Sequence, residues 1–324
     1  MTNEENVKLN REMFPNVLGQ TKVLNKARFL IKEQNHSGFF SPTLLSGSFG
    51  SGKNVVANSI ASHLKCKNNK DEIKPAIEVN CSSISSITQF FDELVIPNII
   101  GNEVTVIMDE IHSLQSVPKL LDALLTIWNT DNAINTYTFA GQTYDFDLSR
   151  ISFICMTSEA HLLPEALRSR MEVVQMEALK IHELAQIAAK KLKNVKVSHD
   201  LLLDIASHGR KNGRESYRLG KLISQYVAQN GLQELHFDHW YEIKNQLGIR
   251  KDGLSNGEFR VLNYLKEHGD STLSKISSAL NLTASATRLG NEAYLLANNY
   301  IEILQPKGRR LTIKAHKYLE EVKD

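Results

Sequence analysis

The most constraining feature is a short segment, Gly47-Ser48-Phe49-Gly50-Ser51-Gly52-Lys53-Asn54, which contains the pattern G-x-x-x-x-G-K. It follows an apolar run, Ser41 to Ser46, that reads as a buried strand, and it opens a helical pattern from Asn54 to Leu64. Strand, glycine-rich turn and helix in that order predict a phosphate cradle. The glycines let backbone N–H groups curl around an anion, and the helix N-terminus points at it. Lys53 adds a full charge for β- and γ-phosphates. Gly47, Gly50, Ser51, Gly52, Lys53 and Asn54 are therefore candidate nucleotide-binding residues. The competing reading, a glycine-rich turn with a surface lysine, leaves the flanking strand and helix unexplained.

Three further runs read as strands: Ala76 to Asn80, Val104 to Met108, and Ile151 to Met156. Helical stretches such as Pro118 to Trp128 fall between them, which predicts an α/β fold with a parallel sheet covered on both faces. Val106-Ile107-Met108-Asp109-Glu110 ends in two carboxylates suited to magnesium chemistry. Asp109 is placed to hold the ion, usually through water, and Glu110 to polarise an attacking water. Two solvated acids after a strand are the plainer alternative. Asn54 stands where a Ser or Thr hydroxyl ordinarily ligates magnesium. An amide oxygen can ligate a cation, but it is larger and differently placed, and Mg²⁺ demands near-octahedral geometry. Asn54 and Asp109 are thus the candidate metal ligands, with hydrolysis weakened and nucleotide binding at least partly retained.

The chain has 324 residues, enough for two or three domains. A β-hairpin is predicted around Gly141, from Thr136 to Phe146, projecting from the sheet just before its fourth strand. From about residue 178 the spacing becomes helical, which predicts an all-α second domain. Gly248 to Gly253 reads as a linker. Beyond it, helices are predicted over Glu258 to His268, Thr272 to Leu280 (Ser271 as N-cap) and Ala284 to Asn298. A terminal hairpin around Pro306-Lys307-Gly308-Arg309 makes this a winged helix.

Lys307, Arg309, Arg310, Lys314 and Lys317 fall in that wing with no acid between them. Lys307, Arg309 and Arg310 are the candidate DNA-binding residues, with Arg309 placed to enter a groove and the lysines to neutralise phosphate. A solvated basic hairpin is the competing reading, since winged helices also bind proteins. The third helix, beginning Ala284-Ser285-Ala286-Thr287-Arg288, carries little base-reading chemistry and predicts weak sequence specificity. The mixed-charge run from Lys65 to Lys74 reads as a solvated loop without a role.

With 38 Lys+Arg against 36 Asp+Glu, any nucleic-acid surface must be a local patch. Cys66, Cys81 and Cys155 are odd in number and widely spaced, which predicts reduced thiols rather than disulfides or a zinc site. The polar, acidic first residues and the lack of a long apolar run predict a soluble cytoplasmic protein without a signal peptide or membrane partner.

Over nearly its whole length the chain resembles the AAA+ ATPases, and within them the RuvB family of Holliday-junction branch-migration motors. The resemblance is weakest between about Lys65 and Glu103. Val17-Leu18-Gly19-Gln20 is similar to the family's adenine-side motif, which makes Leu18 a candidate nucleotide contact. Asp109-Glu110-Ile111-His112 matches Asp-Glu-Ile-His, and Ile151 to Glu172 matches the sensor-1 and arginine-finger block without a gap. Gly213-Arg214 with Arg218-Leu219 resembles the sensor-2 segment, and Pro306 to Arg309 resembles the family's basic wing.

The resemblance implies an AAA+ ATPase domain over residues 1–177, a helical lid over 178–250 and a winged-helix DNA-binding domain over 251–324. It implies ATP and Mg²⁺, with Lys53 and Glu110 catalytic and Thr157 or Ser158 sensing the γ-phosphate. Arg214 would contact nucleotide from the lid. Arg170 would act on a neighbouring subunit's nucleotide, which implies a homo-oligomeric ring, hexameric in the family. Hairpin 137–146 sits where the family docks its junction-binding partner RuvA, and Tyr137, Phe139, Tyr144 and Phe146 would form that surface unless they pack on the protein's own core. Gln142 replaces an inter-subunit arginine of the family. The implied function is ATP-driven branch migration on duplex or four-way-junction DNA. Two alternatives stand beside it: a weakly hydrolysing, nucleotide-switched DNA-binding or loading module, and a structural subunit lending Arg170 to an active partner.

Overall fold

The computed structural model describes residues 3–304 and 308–322. They gather into two compact units, residues 1–183 with 212–214, and residues 184–211 with 215–324.

The first unit is built on β1 (Thr43–Ser46), β2 (Ala76–Asn80), β3 (Val104–Asp109), the hairpin β4 (Ile134–Phe139) and β5 (Gln142–Asp147), β6 (Ile151–Thr157) and β7 (Glu172–Gln175). Five of these form a parallel sheet in the order β2-β3-β6-β1-β7. Side chains alternate between two cores, as the two-residue period of a strand requires. Leu44, Val106, Met108, Phe153 and Cys155 face one; Leu45, Ile107, Ile154 and Met156 face the other, under the helix Lys53–Ala61. The C-terminal ends of β1, β3 and β6 lie side by side, since Ser46 pairs with Thr157 and Met108 with Cys155. Ligands of open α/β sheets bind beyond such strand ends.

The predicted α/β class and the four predicted strands are present. β7 was not predicted. It is a four-residue edge strand in which only Val174 is buried, so its sequence carries little apolar signal. The hairpin turns through Ala140 and Gly141, both at positive φ, which is a two-residue type I′ geometry. Its aromatics pack inward: Phe91 stacks on Phe139 at 4.4 Å and on Tyr137 at 5.5 Å, and Phe146 is buried. Of the two readings held for these aromatics, packing on the protein's own core is the one observed. The Lys65–Lys74 stretch is exposed from Lys67 to Ile73, as a solvated loop should be, but its last lysine departs from that reading: Lys74 is fully buried, donating from Nζ to Ser149 O and Ser152 Oγ at 3.0 Å.

The second unit contains helices His199–Ser207 and Phe237–Leu247, most of Ile181–Ala189 and most of Gly213–Gln229. They pack around Leu201, Ile205, Leu219, Ile223 and Trp240. Against the all-helical expectation, it also carries a two-residue parallel pair, β8 (Lys196–Val197) with β9 (Glu234–Leu235). The same unit holds the winged helix. Helix Asn256–His268 starts at a Ser255/Glu258 capping box, helix Leu273–Leu280 is capped by Thr272 rather than Ser271, and a third helical stretch runs from Ala284 to Ala297 through a wider π turn at Arg288–Glu292. Strands β10 (Ser271–Thr272), β11 (Ile301–Leu304) and β12 (Gly308–Leu311) form an antiparallel sheet in the order β10-β12-β11. A final helix, Ile313–Glu321, follows the wing. No helix among the described residues is long and apolar enough to cross a membrane.

Candidate nucleotide site and basic wing

Each piece of the candidate site sits on a strand end or helix start of the first unit. Gly50 and Gly52 take φ of +73° and +95°, which L side chains rarely adopt, so the loop after β1 needs glycine there. No side chain caps the helix Lys53–Ala61, whose N-cap is Gly52. Its first N–H groups are therefore left for a ligand. The Ser51 hydroxyl is buried without a hydrogen-bond partner among the described residues. Such an orphan is costly, and a phosphate oxygen would satisfy it. These features fit a bound polyphosphate.

Lys53 is buried, and its ammonium donates to the Gly47 carbonyl at 2.7 Å and the Ser48 carbonyl at 3.2 Å. Burial pulls its pKa below the usual lysine value; Glu110 and Asp109 oppose this, and Arg214 adds to it. Lys53, the acidic pair and Arg214 therefore share one electrostatic environment. Arg214 is exposed, on the segment 212–214. That segment seats on the loop: the Gly213 N–H donates to Gly50 O at 3.0 Å, and Asn212 Nδ2 to Phe49 O at 3.0 Å.

Asp109 accepts the Glu110 N–H on one oxygen at 3.0 Å and the Asn54 amide on the other at 3.4 Å. Asn54 thus turns its donor, not its oxygen, toward the carboxylate. Asp109 fits a cation bound mainly through waters and phosphate oxygens; Asn54 fits only after its amide rotates. Glu110 is itself left-handed at φ +51°, a conformation costing roughly 1–2 kcal/mol for an L residue. Its carboxylate lies 3.4 Å from Ser158 Oγ and 3.2 Å from His112 Nδ1. The same Nδ1 lies 2.9 Å from Thr157 Oγ1, which also accepts the Glu159 N–H. Thr157 is fully buried and Ser158 is not, so Ser158 is the hydroxyl that can move.

His112 was given no role from sequence, and neither were Gln20 and Asn212. Gln20, buried and at φ +60°, clamps Glu177 through both backbone groups at 2.7 and 2.8 Å and reaches Ser51 O at 3.3 Å. It fixes the turn carrying half-buried Leu18 to the phosphate loop. The available signals were positions inside quoted motifs: Gln20 closes Val17 to Gln20, and His112 closes Asp109 to His112. Arg170 lies just beyond the short helix Glu165–Arg168, where its guanidinium donates to Ala166 O at 2.9 Å; no carboxylate pairs with it among the described residues. Gln142 accepts from the Tyr144 hydroxyl at 3.0 Å.

The wing differs from its expected form. Lys307 lies outside the described residues. Arg309 is not a groove-entering side chain: it is 7% exposed and forks onto Glu292, with Nε–Oε1 at 2.7 Å and Nη2–Oε2 at 3.2 Å. Its β12 position points it inward, toward the helical face of the sheet. Arg310, the next residue, points outward and is exposed, paired to Asp270 with Nε–Oδ1 at 3.0 Å. That pairing holds the Asp270 carboxyl below the usual range. Lys314 donates to Asn298 O at 3.0 Å and sits over the Tyr300 ring.

Comparisons with known proteins agree with this division. Residues 43–178 match the family described as "ATPase family associated with various cellular activities (AAA)", and residues 251–320 match the "RuvB C-terminal winged helix domain". Among curated proteins, the Holliday junction branch migration complex subunit RuvB of Campylobacter lari is 28% identical over 315 residues, 95% of this chain and 90% of the relative. The protein of that name from Sulfurimonas denitrificans is 28% identical over 93% of this chain and 88% of its own. A solved structure of the Thermotoga maritima RuvB Holliday junction branch migration motor superposes with a TM-score of 0.71 at 22% identity, covering 94% of this chain and 95% of that one. At that identity the superposition speaks for the fold.

Proposed function

Because the chain belongs to the RuvB-like AAA+ ATPase family, we propose that it is an ATP-driven motor that moves branched DNA, as in Holliday-junction branch migration. The observation that carries this reading is the convergence at three adjacent strand ends. There the phosphate loop, the Asp109–Glu110 pair and the Thr157–Ser158 hydroxyls share one site with Arg214. We assign residues 1–177 to the ATPase domain, 178–250 to its lid and 251–324 to the DNA-binding winged helix.

In this reading Gly47, Gly50, Ser51, Gly52 and Lys53 hold the phosphates. Lys53 exchanges its two loop carbonyls for β- and γ-oxygens. Leu18 lies beside the base, and Arg214 follows the phosphates from the lid. Asp109 and a rotated Asn54 would hold Mg²⁺, which would supply neutralisation of the phosphate charge. Glu110 leaves Ser158 and His112 to orient the attacking water, and Ser158 or Thr157 senses the γ-phosphate. Arg170, which pairs with no carboxylate among the described residues, serves a neighbouring subunit, which requires a homo-oligomeric ring of the hexameric kind. The outward side chains of the hairpin, Thr136, Thr138 and Asp145, offer a face for a RuvA-like junction-binding partner. On the wing, Arg310 can exchange Asp270 for phosphate.

A second reading, a nucleotide-switched DNA-binding module with little turnover, is favoured by one observation: Asn54 donates to Asp109 where a ligating hydroxyl is expected. Steady-state ATP hydrolysis with and without four-way-junction DNA, against Glu110→Gln as background, separates the two. DNA-stimulated turnover above background supports the motor. ATP binding with turnover equal to background overturns it in favour of the switch.

A further inference from the structure

A bidentate charged pair with a fully buried carboxylate lies outside the candidate nucleotide site. Glu258 is fully buried on the first winged-helix helix and receives Arg210 of the lid on both oxygens, with Nη2–Oε1 at 2.6 Å and Nη1–Oε2 at 3.2 Å. The same guanidinium lies over the Tyr294 ring, 3.7 Å from its centroid. Glu258 also accepts the Ser255 N–H, so its carboxylate caps the helix while it holds the arginine. A planar fork that pairs bidentately and stacks at once is a demand that lysine cannot meet.

The surrounding contacts fix the same junction. Residues 248–253, read from sequence as a linker, are locked. The Tyr294 hydroxyl donates to Asp252 O at 2.8 Å, Tyr300 to the Asp252 carboxylate at 2.6 Å, and Tyr318 to Lys251 O at 3.1 Å. Gly253 packs so closely on the lid that an added Cβ would stand 2.5 Å from His208 O and 2.8 Å from Arg210 Cγ. The winged helix is therefore held to the turn that carries Arg210.

That turn leads directly to the nucleotide site. Arg210 and Lys211 are consecutive left-handed residues, at φ +55° and +53°, and Asn212-Gly213-Arg214 follow at once. Two adjacent left-handed residues with side chains are unfavourable and persist only where their surroundings enforce them. Arg210 is held by Glu258 and Tyr294, whereas Asn212 and Gly213 are held by Phe49 O and Gly50 O of the phosphate loop. Only Lys211 separates the two sets of contacts.

We propose that Arg210 is the positioning residue that couples nucleotide at the phosphate loop to the winged helix, by fixing residues 208–211 to Glu258 so that displacement of 212–214 is passed on as motion of the DNA-binding module. The proposal rests on the reading of residues 47–54 as a nucleotide site and of 251–324 as a DNA-binding module. A purely structural pair would support stability and nothing else. A coupling pair also makes DNA affinity depend on nucleotide, and by linkage nucleotide affinity depend on DNA.

The test uses the full chain and a fluorescent four-way junction, with Kd measured with and without a saturating non-hydrolysable ATP analogue. The ratio of the two Kd values is the readout. In the parent protein it departs from one by at least about fivefold, the low end of ordinary coupling. Arg210→Ala brings the ratio to near one, while affinity for the analogue in the absence of DNA is preserved. Because Arg210→Ala leaves Glu258 buried without its partner, Arg210→Met combined with Glu258→Leu is the second variant. It removes both charges at similar volume and is expected to fold, with the ratio again near one. Arg210→Lys, which keeps charge without fork or stack, recovers only part of the ratio. A parental ratio in the folded Met/Leu double variant overturns the proposal, as does a ratio of one in the parent. A parent chain that binds no ATP analogue at all refutes instead the nucleotide-site reading on which the proposal stands.

Discussion

Replacing Arg309 tests whether it belongs to the DNA surface or to the core of the winged helix. Arg309 and Glu292 are 7% and 2% exposed and share two hydrogen bonds. Truncating one member of a buried ion pair leaves the other charge uncompensated, at about 3–5 kcal/mol. A winged helix of some 70 residues, at roughly 0.05–0.15 kcal/mol per residue, has only about 4–10 kcal/mol of stability in total. Arg309→Ala is therefore expected to remove a large part of it, and weak DNA binding in that variant would follow from unfolding. Arg309→Met with Glu292→Leu removes both charges at similar volume and should be neutral or stabilising by about 1–4 kcal/mol. The assay is hydrogen exchange of the helices Asn256–His268 and Ile313–Glu321 within the full chain, beside salt-dependent DNA binding. Exchange should accelerate in Arg309→Ala and return to the parental rate in the double variant, together with DNA affinity. Parental exchange in Arg309→Ala, with DNA affinity lost equally in both variants, would refute the reasoning and return the guanidinium to the DNA surface.

Other outcomes follow from the same geometry. Arg310→Ala, at an exposed pair, should leave stability unchanged and reduce the salt slope of DNA binding by about one. Burial lowers the Lys74 pKa to about 8, against 10.5 for a free lysine, so the unfolded chain binds more protons between those values. Stability should rise with pH through that window, by about 3 kcal/mol from this group, and urea unfolding of Lys74→Met should lack that part of the rise. Asn54→Thr, which removes the amide donor to Asp109 and supplies a hydroxyl, should raise kcat for ATP by about tenfold or more, read at saturating Mg²⁺; an unchanged kcat would count against a ligand role at this position. Gly50→Ala places a Cβ 1.8 Å from Asn212 Oδ1 at φ +73°, and calorimetric titration should show nucleotide affinity lowered by about tenfold or more.

The candidate nucleotide site was legible because its parts are local. A phosphate loop is one contiguous segment, its strand and helix are contiguous with it, and the acids end the next buried strand. Order along the chain was enough to bring Lys53, Asp109 and Glu110 together. What joins those segments was not legible. Gln20 reaches Glu177 across 157 positions, and His112 reaches Thr157 across 45, through hydrogen bonds that no local pattern encodes. The hairpin's alternating aromatics announced a strand with one apolar face. Which apolar partner that face would meet depended on Phe91, on a helical segment some fifty residues earlier.

The errors share one physical origin, which is that linear charge and polarity do not report where a compensating group will arrive. The wing was read as basic because no acid interrupts the run in sequence. Its acids come from elsewhere, Glu292 from the third helical stretch and Asp270 from the turn before β10, and they divide the run by strand alternation. Arg309 points inward and is neutralised in the core; Arg310 points outward and keeps an exchangeable surface partner. Gly248 to Gly253 was read as a linker because it is polar and bounded by glycines. Three tyrosine hydroxyls 42, 48 and 67 positions downstream supply its hydrogen bonds, and that makes it a fixed joint. The same rule covers Lys74, a lysine in a charged stretch that is buried because Ser149 and Ser152 arrive to accept its protons. A buried or immobilised polar group is thus specified by its partner's position in the fold, and a basic run is evidence for a nucleic-acid surface only after each of its side chains has been assigned a face.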